Sequence, residues 1–297
     1  MPFFSIILPT YNRPEQLKRA LKSVLNQTFE DYEVLVINNG DVRIDQDLSD
    51  KRIRYYDEEK KGANYARNKG ISLSTSSFIC FLDDDDEYFP NHLEALHQLI
   101  EKNEFKVALY KTFARIEDKD GKYRDQNDPL KQTSMHNLHY IFLYPLYMNC
   151  VCIHKEILKK EIFEPTVKVA QDYDLWIRIL VDHAFFISPI VTTIYHYSIH
   201  STSRASKNKY YNYINLYSGY FKDPLYGKNI PTSVKRDRIF KYYFWLMCEF
   251  KNELSFTEYI SAIGKLIYYH PTIIIEKRLY AIFLKGTQQS ANSVVAA

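Results

Sequence analysis

Four consecutive aspartates, Asp83 to Asp86, follow an apolar run at Ser77–Leu82. The run predicts a buried strand, and alternate side chains of its extended end point the same way, so Asp83 shares one face with Asp85, and Asp84 shares the other with Asp86. Carboxylates this close repel one another. A hard divalent cation such as Mg²⁺ or Mn²⁺ offsets the repulsion and usually keeps coordination positions for substrate phosphates. The four aspartates, called the acidic run below, therefore indicate a metal ion between protein carboxylates and a diphosphate.

A solvated acidic turn is the alternative interpretation of the same four residues. Pro90 follows them and is predicted to open a helix, and acids are favoured near a helix N-terminus. We expect Asp86 only to start this helix. The position of the run directly after a buried strand favours the metal interpretation.

The elements before the aspartates alternate between strands and helices. Apolar runs and helical spacing predict, in order, a strand at Phe3–Leu8, a helix capped by Asn12 with Pro14 in its first turn, strands at Glu33–Ile37 and Ile53–Tyr56, and a helix at Ala63–Lys69. Gly70 is expected to end the last helix in the left-handed conformation. This alternation predicts an α/β fold with a mainly parallel sheet, whose ligands bind at the carboxyl ends of the strands. Asn38, Asn39 and the aspartates all fall at such ends.

The second half begins with similar elements and then changes character. We predict a strand at Val107–Ile116, a loop at Glu117–Asp128, a helix at Asp172–Leu180, a strand at Phe185–Tyr197, and amphipathic helices that include Arg238–Phe250 and Thr257–Tyr269. The loss of alternation places a domain boundary near Ser206, which gives one domain at 1–205 and a helical region at 206–297.

Bulk composition fits a folded globular protein and limits the partners. The 297 residues are 46% hydrophobic and 25% charged, and the net charge of +3 is too small to indicate nucleic-acid binding. The four cysteines lack paired metal spacing, which favours a reducing compartment. We find no signal peptide and no apolar run long enough to span a membrane, so we expect a cytoplasmic protein, either soluble or attached to the inner face of the plasma membrane.

Several segments together resemble the inverting glycosyltransferases of family 2. The segments that carry the resemblance are Ser5–Arg13, Ser23–Phe29, Gly62–Ile71, Phe81–Asp86 followed by Pro90, and Gln171–Arg178. They cover roughly residues 1–205, and their joint order is more specific than any one of them. The resemblance implies the GT-A fold, a Rossmann-like sheet flanked by helices, with a helical C-terminal extension.

The resemblance also implies a nucleotide-diphospho-sugar donor site. In such enzymes Thr10 and Tyr11 would line the base pocket, and Arg67 would pair with phosphate or base. Asp83 and Asp84 become candidates for ribose and metal-shell contacts. Direct ligands of Mg²⁺ or Mn²⁺ would be Asp85, with Asp83 and with His200, which lies in a His and Ser segment near the diphosphate. A structural role is the alternative for each of Tyr11, Arg67 and His200.

One position departs from the family pattern. The second strand commonly ends in two acids, the second of which contacts the base, whereas this chain has Asn38-Asn39-Gly40. An amide both donates and accepts, so Asn39 remains a candidate for the base edge. A UDP-sugar is favoured.

The family acts by a single displacement that inverts the anomeric carbon. Asp172 occupies the place of the general base that activates the acceptor hydroxyl, with Gln171 before it in place of the usual Glu. A helix cap is the alternative role for Asp172. Asp174 is close enough to substitute, and His196 is a weaker candidate than His200 for the diphosphate.

The C-terminal third mixes cations with aromatics, as in Lys241 to Trp245. This pattern suits a protein that works on a lipid-linked acceptor at the inner face of a membrane. The family resemblance implies a glycan or lipid-linked acceptor in bacterial surface polysaccharide synthesis. Helices that cover the catalytic domain or form a homodimer are the equal alternative. Rival functions are a non-catalytic nucleotide-sugar or glycan binding module and a two-metal phosphatase or nuclease; the absence of Gly-x-Gly-x-x-Gly argues against a dinucleotide dehydrogenase.

Overall fold

The structure is a computed structural model, and it describes residues 1–42, 50–128, 136–197 and 206–271. Its contacts divide the chain into two compact units, Met1–Ile199 and His200–Ala297. The predicted boundary at 205/206 borders a stretch, 198–205, that lies outside the described residues, so it stays a prediction.

The described residues of the first unit contain nine strands and six helices. In chain order they are β1 Phe4–Thr10, α1 Pro14–Leu25, β2 Tyr32–Asn38, β3 Ile53–Asp57, α2 Ala63–Leu73, β4 Phe78–Phe81, β5 Glu87–Tyr88, α3 His92–Lys102, β6 Ala108–Glu117, β7 Tyr123–Asp125, α4 Asn137–Leu143, β8 Val151–His154, α5 Lys155–Leu158, α6 Gln171–Leu180 and β9 Ala184–Tyr195. A short 3-10 turn at Met148–Cys150 precedes β8.

The strands form one sheet in the order β3-β2-β1-β4-β8-β6-β9-β5, with β7 paired to β6. The pairs β3–β2, β2–β1, β1–β4 and β6–β9 are parallel, whereas β8, β7 and β5 run antiparallel to their neighbours. The predicted α/β alternation is therefore confirmed for the first half of the unit. It places the carboxyl ends of β1, β2 and β4 side by side.

Both faces of the sheet are covered, because successive side chains of a strand point to opposite faces. Ile6 and Leu8 of β1 join the buried cluster that contains Leu17 of α1 and Leu96 of α3. Ile7 points the other way and meets α2 at Gly70, where an added Cβ would lie 2.5 Å from Ile7 Cγ2. The expected left-handed helix end at Gly70 is wrong, because α2 continues to Leu73. Glycine is required there so that the helix can approach the strand closely.

Two other local predictions are also wrong. Asn12 does not cap α1; its backbone is left-handed, with φ 53, and its Oδ1 accepts hydrogen bonds from the backbone N–H groups of Asp41 and Val42. The predicted loop at Glu117–Asp128 contains β7, since Arg124 pairs with Ile116 across a hairpin with Gly121 in its turn. Alternation over three residues is too short to mark such a strand.

The second unit is helical in its described residues. It contains α7 Lys207–Lys222, α8 Pro224–Gly227, α9 Thr232–Phe250 and α10 Phe256–Tyr269. Both named helices of this region are confirmed, although the first begins at Thr232 instead of Arg238. Phe240 and Phe244 of α9 pack on Ala262 and Leu266 of α10, so each amphipathic helix buries its apolar face on its neighbour. Among the described residues, no helix has the length and apolarity needed to cross a membrane.

Candidate active site

The carboxyl ends of β1 and β4 bring Thr10 to the acidic run. The strands are parallel neighbours, so Thr10, the last residue of β1, lies beside the residues that follow Phe81. Its Oγ1 donates a hydrogen bond of 2.8 Å to Asp84 Oδ2. Both side chains are buried, and burial, only partly offset by Thr10 and Arg13, raises the pKa of Asp84 to about 6. Asp84 is therefore held in a buried position at the carboxyl ends of β1 and β4.

Arg13 bridges the second and third aspartates. Its Nη1 lies 3.2 Å from Asp84 Oδ1 and 3.0 Å from Asp85 Oδ2. The Asp85 side chain is 22% exposed, and burial together with the charge of Asp83 raises its pKa. A cation near these oxygens is thus electrostatically favoured, as the sequence implies.

Arg67 connects the acidic run to the beginning of α6. The guanidinium is buried, donates from Nη2 to Asp83 Oδ1 at 2.7 Å, and donates from Nη1 to Gln171 Oε1 at 3.3 Å. Its carbon lies 5.4 Å from the centroid of the Phe163 ring. Residues that are far apart in sequence therefore meet at one arginine.

Asp172 lies next to this arginine in the first turn of α6. Its side chain is partly buried. Burial raises its pKa from the ordinary value of 3.8, while the Tyr173 backbone N–H and Arg67 act in the opposite direction. A carboxyl with a raised pKa at the rim of a site is suited to accept a proton. Asp174 instead pairs with Arg178 at 3.0 Å and is buried, which ties it to the helix packing.

Asp86 does not start the next helix, which begins at His92. It is buried, accepts a hydrogen bond of 3.0 Å from Asn149 Nδ2, and accepts another of 3.0 Å from the backbone N–H of His196. Burial raises its pKa well above the usual range. The expectation for Asp86 is corrected: it does not start a helix, and it links the segment after β4 to the 3-10 turn before β8 and to the end of β9.

His196 connects the same region through its side chain. Its Nδ1 lies 2.8 Å from Glu117 Oε2, and its Nε2 lies 2.8 Å from Glu87 Oε1. Sequence reasoning missed Glu87, Glu117 and Asn149, because no spacing relates them; only the sheet order brings them together. His200 lies outside the described residues.

Tyr11 and Asn39 flank the far side of Thr10. Tyr11 is half exposed, with Lys61 Nζ 5.8 Å from its ring centroid. Asn39 is buried, and its Nδ2 donates to the carbonyls of Glu58 and Lys60, each at 2.8 Å. Its Oδ1 accepts from the Gly62 N–H at 2.6 Å. The amide therefore holds the loop before α2, and it shapes this side of the site through that loop.

The acidic run provides oxygen ligands of the kind that Mg²⁺ and Mn²⁺ prefer. Asp83 and Asp85 have partly exposed carboxylates, whereas Asp84 and Asp86 are buried. Within the described ranges, no three His, Cys, Asp or Glu side chains converge on a common metal position. The residues fit an ion that has one or two protein carboxylates and takes its remaining ligands from phosphates and water.

Relatives of this chain carry glycosyltransferase names. A protein from Rickettsia bellii named "Uncharacterized glycosyltransferase" is 34% identical over 180 residues, which are 59% of this chain and 26% of that protein. "Uncharacterized glycosyltransferase MJ1057" of Methanocaldococcus jannaschii is 29% identical over 72% of this chain and 78% of its own length. The Escherichia coli "Putative colanic acid biosynthesis glycosyl transferase WcaA" is 29% identical over 61% of this chain and 67% of its own.

Solved structures show the fold. The crystal structure of S. aureus TarS 1–349 has a TM-score of 0.65 at 16% identity and covers 92% of this chain and 82% of that one. The Pyrobaculum calidifontis mannosyltransferase PcManGT in complex with GDP-Man and Mn²⁺ has a TM-score of 0.58 at 12% identity, covering 97% of this chain and 88% of that one. These likenesses confirm the GT-A class of α/β fold.

The sequence profile described as "Glycosyl transferase family 2" matches residues 5–164. The match spans β1 to α5 and contains Thr10, Arg67 and the acidic run. Since it covers more than half of the chain, the chain belongs to glycosyl transferase family 2.

Proposed function

We propose that this glycosyltransferase moves a sugar from a nucleotide-diphospho-sugar, with a UDP-sugar favoured, to a glycan or lipid-linked saccharide by inverting displacement. The observation that carries the proposal is the convergence of three elements on Arg67: α2 supplies the arginine, the end of β4 supplies Asp83, and α6 supplies Gln171 beside Asp172. The candidate donor residues and the candidate base thereby lie together at the carboxyl ends of the parallel strands, where ligands of open α/β sheets bind.

The donor is assigned to the first half of this edge. Tyr11 offers an exposed ring for stacking on a base, and Asn39 holds the neighbouring loop. Asp83 and Asp84 are assigned to the ribose and the metal shell, with Arg67 directed at the phosphates. A TarS structure in complex with UDP-GlcNAc, to which the chain has a TM-score of 0.64, supports a UDP-sugar. The GDP-Man complex of PcManGT keeps a guanine donor as the competing option.

Asp85, with Asp83, is the proposed holder of Mg²⁺ or Mn²⁺. His200, which lies outside the described residues, is retained as a third candidate ligand. When bound, such an ion offsets the charge that develops on the departing diphosphate. Support for the ion comes from the partly exposed side chains of Asp83 and Asp85 and from the negative charge of Asp83 beside Asp85.

Asp172 is the proposed general base. Its ionised carboxylate accepts the proton of the acceptor hydroxyl as the oxygen attacks the anomeric carbon, and the bond to the diphosphate oxygen breaks on the opposite face. The positive charge of Arg67 lowers the pKa of Asp172 and so offsets part of the repulsion from Asp83, which raises it. Inversion follows from a single displacement.

The acceptor is proposed to be a growing surface glycan or its lipid-linked precursor, reached from the cytoplasmic side. A Campylobacter jejuni relative, 39% identical over 106 residues, is named "GalNAc(5)-diNAcBac-PP-undecaprenol beta-1,3-glucosyltransferase". The colanic acid name of the Escherichia coli relative points to the same class of product. Peripheral membrane attachment and a homodimer are both compatible proposals for the helical unit.

A donor screen tests the proposal. The full chain is mixed with UDP-, GDP- and dTDP-sugars, with and without Mn²⁺, and both the unfolding temperature and nucleotide release are measured. We expect a UDP-sugar to raise the unfolding temperature most in the presence of Mn²⁺, and Asp85→Asn to lose the metal-dependent part. Asp31→Asn, a matched change at an exposed acid beside the amino end of β1, should behave as wild type.

The outcomes separate the competing functions. Donor binding without nucleotide release for any acceptor preparation would favour a non-catalytic binding module. No stabilisation by any donor, together with identical behaviour of Asp85→Asn and wild type, would reject the enzyme proposal.

A further inference from the structure

Arg13 occupies the place that a metal would compete for. Its Nη1 lies within 3.2 Å of both Asp84 Oδ1 and Asp85 Oδ2. Asp85 Oδ2 is therefore engaged by a monovalent cation of the protein itself. A divalent ion bound to Asp85 would sit against this guanidinium, and like charges at such a distance repel.

Arg13 and Arg67 both pair with carboxylates of the acidic run, and they differ in how exposed they are. Arg67 is 8% exposed and is fixed between Asp83 and Gln171, with a ring beneath it. Arg13 is 21% exposed and stands in the short segment between the end of β1 and the first residue of α1. Arg13 is therefore the more exposed of the two side chains, and it lies outside the strand and the helix that flank it.

A second partner for Arg13 lies in the donor. Thr10 and Tyr11, expected at the nucleotide, stand three and two residues before Arg13 in the chain, and Pro14 begins a helix of 12 residues whose first N–H groups carry partial positive charge. A planar guanidinium matches two phosphate oxygens at once. A donor diphosphate held near Asp85 would thus offer anionic oxygens within the surroundings of Arg13.

We propose that Arg13 is an internal counter-cation of the metal site: it would leave Asp85 when a divalent ion binds there, and it would then pair with the donor diphosphate. The inference rests on the proposed function and deepens it. It assigns to Arg13 a role in the order of binding. Without donor, a metal ion would compete with Arg13 for Asp85. With donor, Arg13 would have the diphosphate as a partner, and this competition would be absent.

The role predicts opposite effects on metal and on nucleotide. Binding of Mn²⁺ is measured from the EPR signal of the free ion without any nucleotide, and binding of UDP is then measured by calorimetry at saturating Mn²⁺. In Arg13→Gln we expect Mn²⁺ alone to bind several-fold more tightly, because its competitor is absent. We expect UDP to bind about tenfold more weakly, the loss typical of one charge-assisted hydrogen bond.

Arg19→Gln is the matched control. Arg19 also carries one positive charge near the run, but it donates to the backbone carbonyl of Asp85 at 2.5 Å and pairs with Glu87 at 3.3 Å. Its loss should leave both affinities within about twofold of wild type, because it does not hold a carboxylate oxygen of Asp84 or Asp85. Arg13→Lys keeps the charge without the planar fork, so Mn²⁺ affinity should stay near wild type while UDP affinity falls.

The results distinguish this inference from the proposed function. Arg13→Gln that weakens both Mn²⁺ and UDP, or that changes neither, would overturn the counter-cation role while the donor site stands. Wild type that binds no Mn²⁺ even with UDP would overturn the metal site itself. Tighter Mn²⁺ binding with weaker UDP binding, absent from Arg19→Gln, supports the inference.

Discussion

Asp172 and Asp174 lie two residues apart in the first turn of α6 yet have different environments. Asp174 is paired with Arg178, which also contacts Glu161, so its charge is compensated within the helix packing. Within the described residues, Asp172 forms no such ion pair with a cation of its own helix; its pKa is raised mainly by burial. At the residue scale, the base assignment depends on this difference in environment and not on position alone.

Asp172→Asn should lower kcat by about 10²- to 10⁴-fold, the usual contribution of a general base. UDP affinity, measured by calorimetry, should stay near wild type, because Asp172 is assigned to the acceptor and not to the donor. Asp174→Asn is the control: it should lower the unfolding temperature through the loss of the Arg178 pair and leave kcat within a few-fold. Equal loss of kcat in both variants would contradict the assignment.

The kcat/KM of wild type should also fall at acid pH. Burial raises the pKa of Asp172, and the base works only when ionised. The value of kcat/KM should therefore fall as pH is lowered through this raised pKa, and the fall should be smaller in the residual activity of Asp172→Asn, where Asp84 and Asp85 still have raised pKa values. A residual rate in that variant with the same acid limb would assign the limb to another group.

Asn39 forms hydrogen bonds that suit an amide and not the acid that the family resemblance implies at this position. Both hydrogens of its Nδ2 go to carbonyl oxygens at 2.8 Å, so Asn39→Asp would place a carboxylate oxygen against Glu58 and Lys60 carbonyls. We expect a loss of about 1–3 kcal/mol in the free energy of unfolding, measured in urea at pH 7. Asn26→Asp, the same change on an exposed side chain, should cost less than about 0.5 kcal/mol. Equal stability of the two variants would contradict the buried network.

At the scale of elements, the packing of α2 on β1 depends on Gly70. Gly70→Ala puts a Cβ within 2.5 Å of Ile7 Cγ2, so we expect about 1–3 kcal/mol of destabilisation from overpacking. Gly264→Ala is the matched change in α10, where nothing lies within 4 Å of the added atom. It should be stabilising by up to about 1 kcal/mol, since alanine favours the helix. Thermal unfolding of both variants checks the contrast, and destabilisation by Gly264→Ala would contradict it.

We expect His92, at the start of α3, to make the first unit sensitive to acid. It is buried, Thr192 Oγ1 lies 2.8 Å from its Nδ1, and Thr192 in turn donates to Thr112. Nδ1 is therefore the protonated nitrogen, and Nε2 has no hydrogen-bond partner within the described residues. Burial lowers the pKa of His92 to about 3 from 6.5. The folded state thus rejects a proton that the unfolded state accepts.

The sign follows from proton linkage. Between pH 6.5 and 3 the unfolded state binds more protons, so the stability from neutral His92 is complete above pH 6.5 and is lost as pH falls. One such group lowers the free energy of unfolding by up to about 1.4 kcal/mol per pH unit. His92→Asn keeps a donor for Thr192 and cannot become charged. Its free energy of unfolding, measured by urea titration and compared with that of wild type, should therefore rise between pH 7 and pH 5. A constant difference would place the acid sensitivity elsewhere.

The elements show where sequence reasoning succeeds and where it stops. The strands β1, β2 and β4 are marked by continuous apolar runs, and their order along the chain with helices between them implies that Thr10 and the aspartates lie close together. Asp86, Asn149 and His196 meet because β8 is inserted antiparallel next to β4, and no local pattern shows that insertion. Gly70 is a second example: the sequence predicts that this glycine ends a helix, whereas in the structure it allows α2 to pack closely on β1.

At the scale of the whole molecule, charge is unevenly distributed. Residues 206–271 contain ten Lys and Arg against five Asp and Glu, whereas the whole chain carries only +3. Along α10, Phe256, Ile260 and Tyr268 are exposed by 80%, 52% and 69% and recur at helical spacing. We call these three side chains the α10 stripe. A basic helical unit with an exposed apolar stripe combines the two features that bind anionic bilayer surfaces.

We therefore expect the full chain to float with vesicles that contain anionic phosphatidylglycerol and not with purely zwitterionic vesicles, and to be released as salt is raised, because electrostatic attraction is screened. Phe256→Ser with Ile260→Ser should reduce flotation several-fold, through the loss of buried apolar area. Leu225→Ser, an exposed apolar residue of α8 outside the stripe, should float as wild type. A chain that does not float, and whose sedimentation changes from dimer to monomer in the double serine variant, would instead assign the α10 stripe to a homodimer.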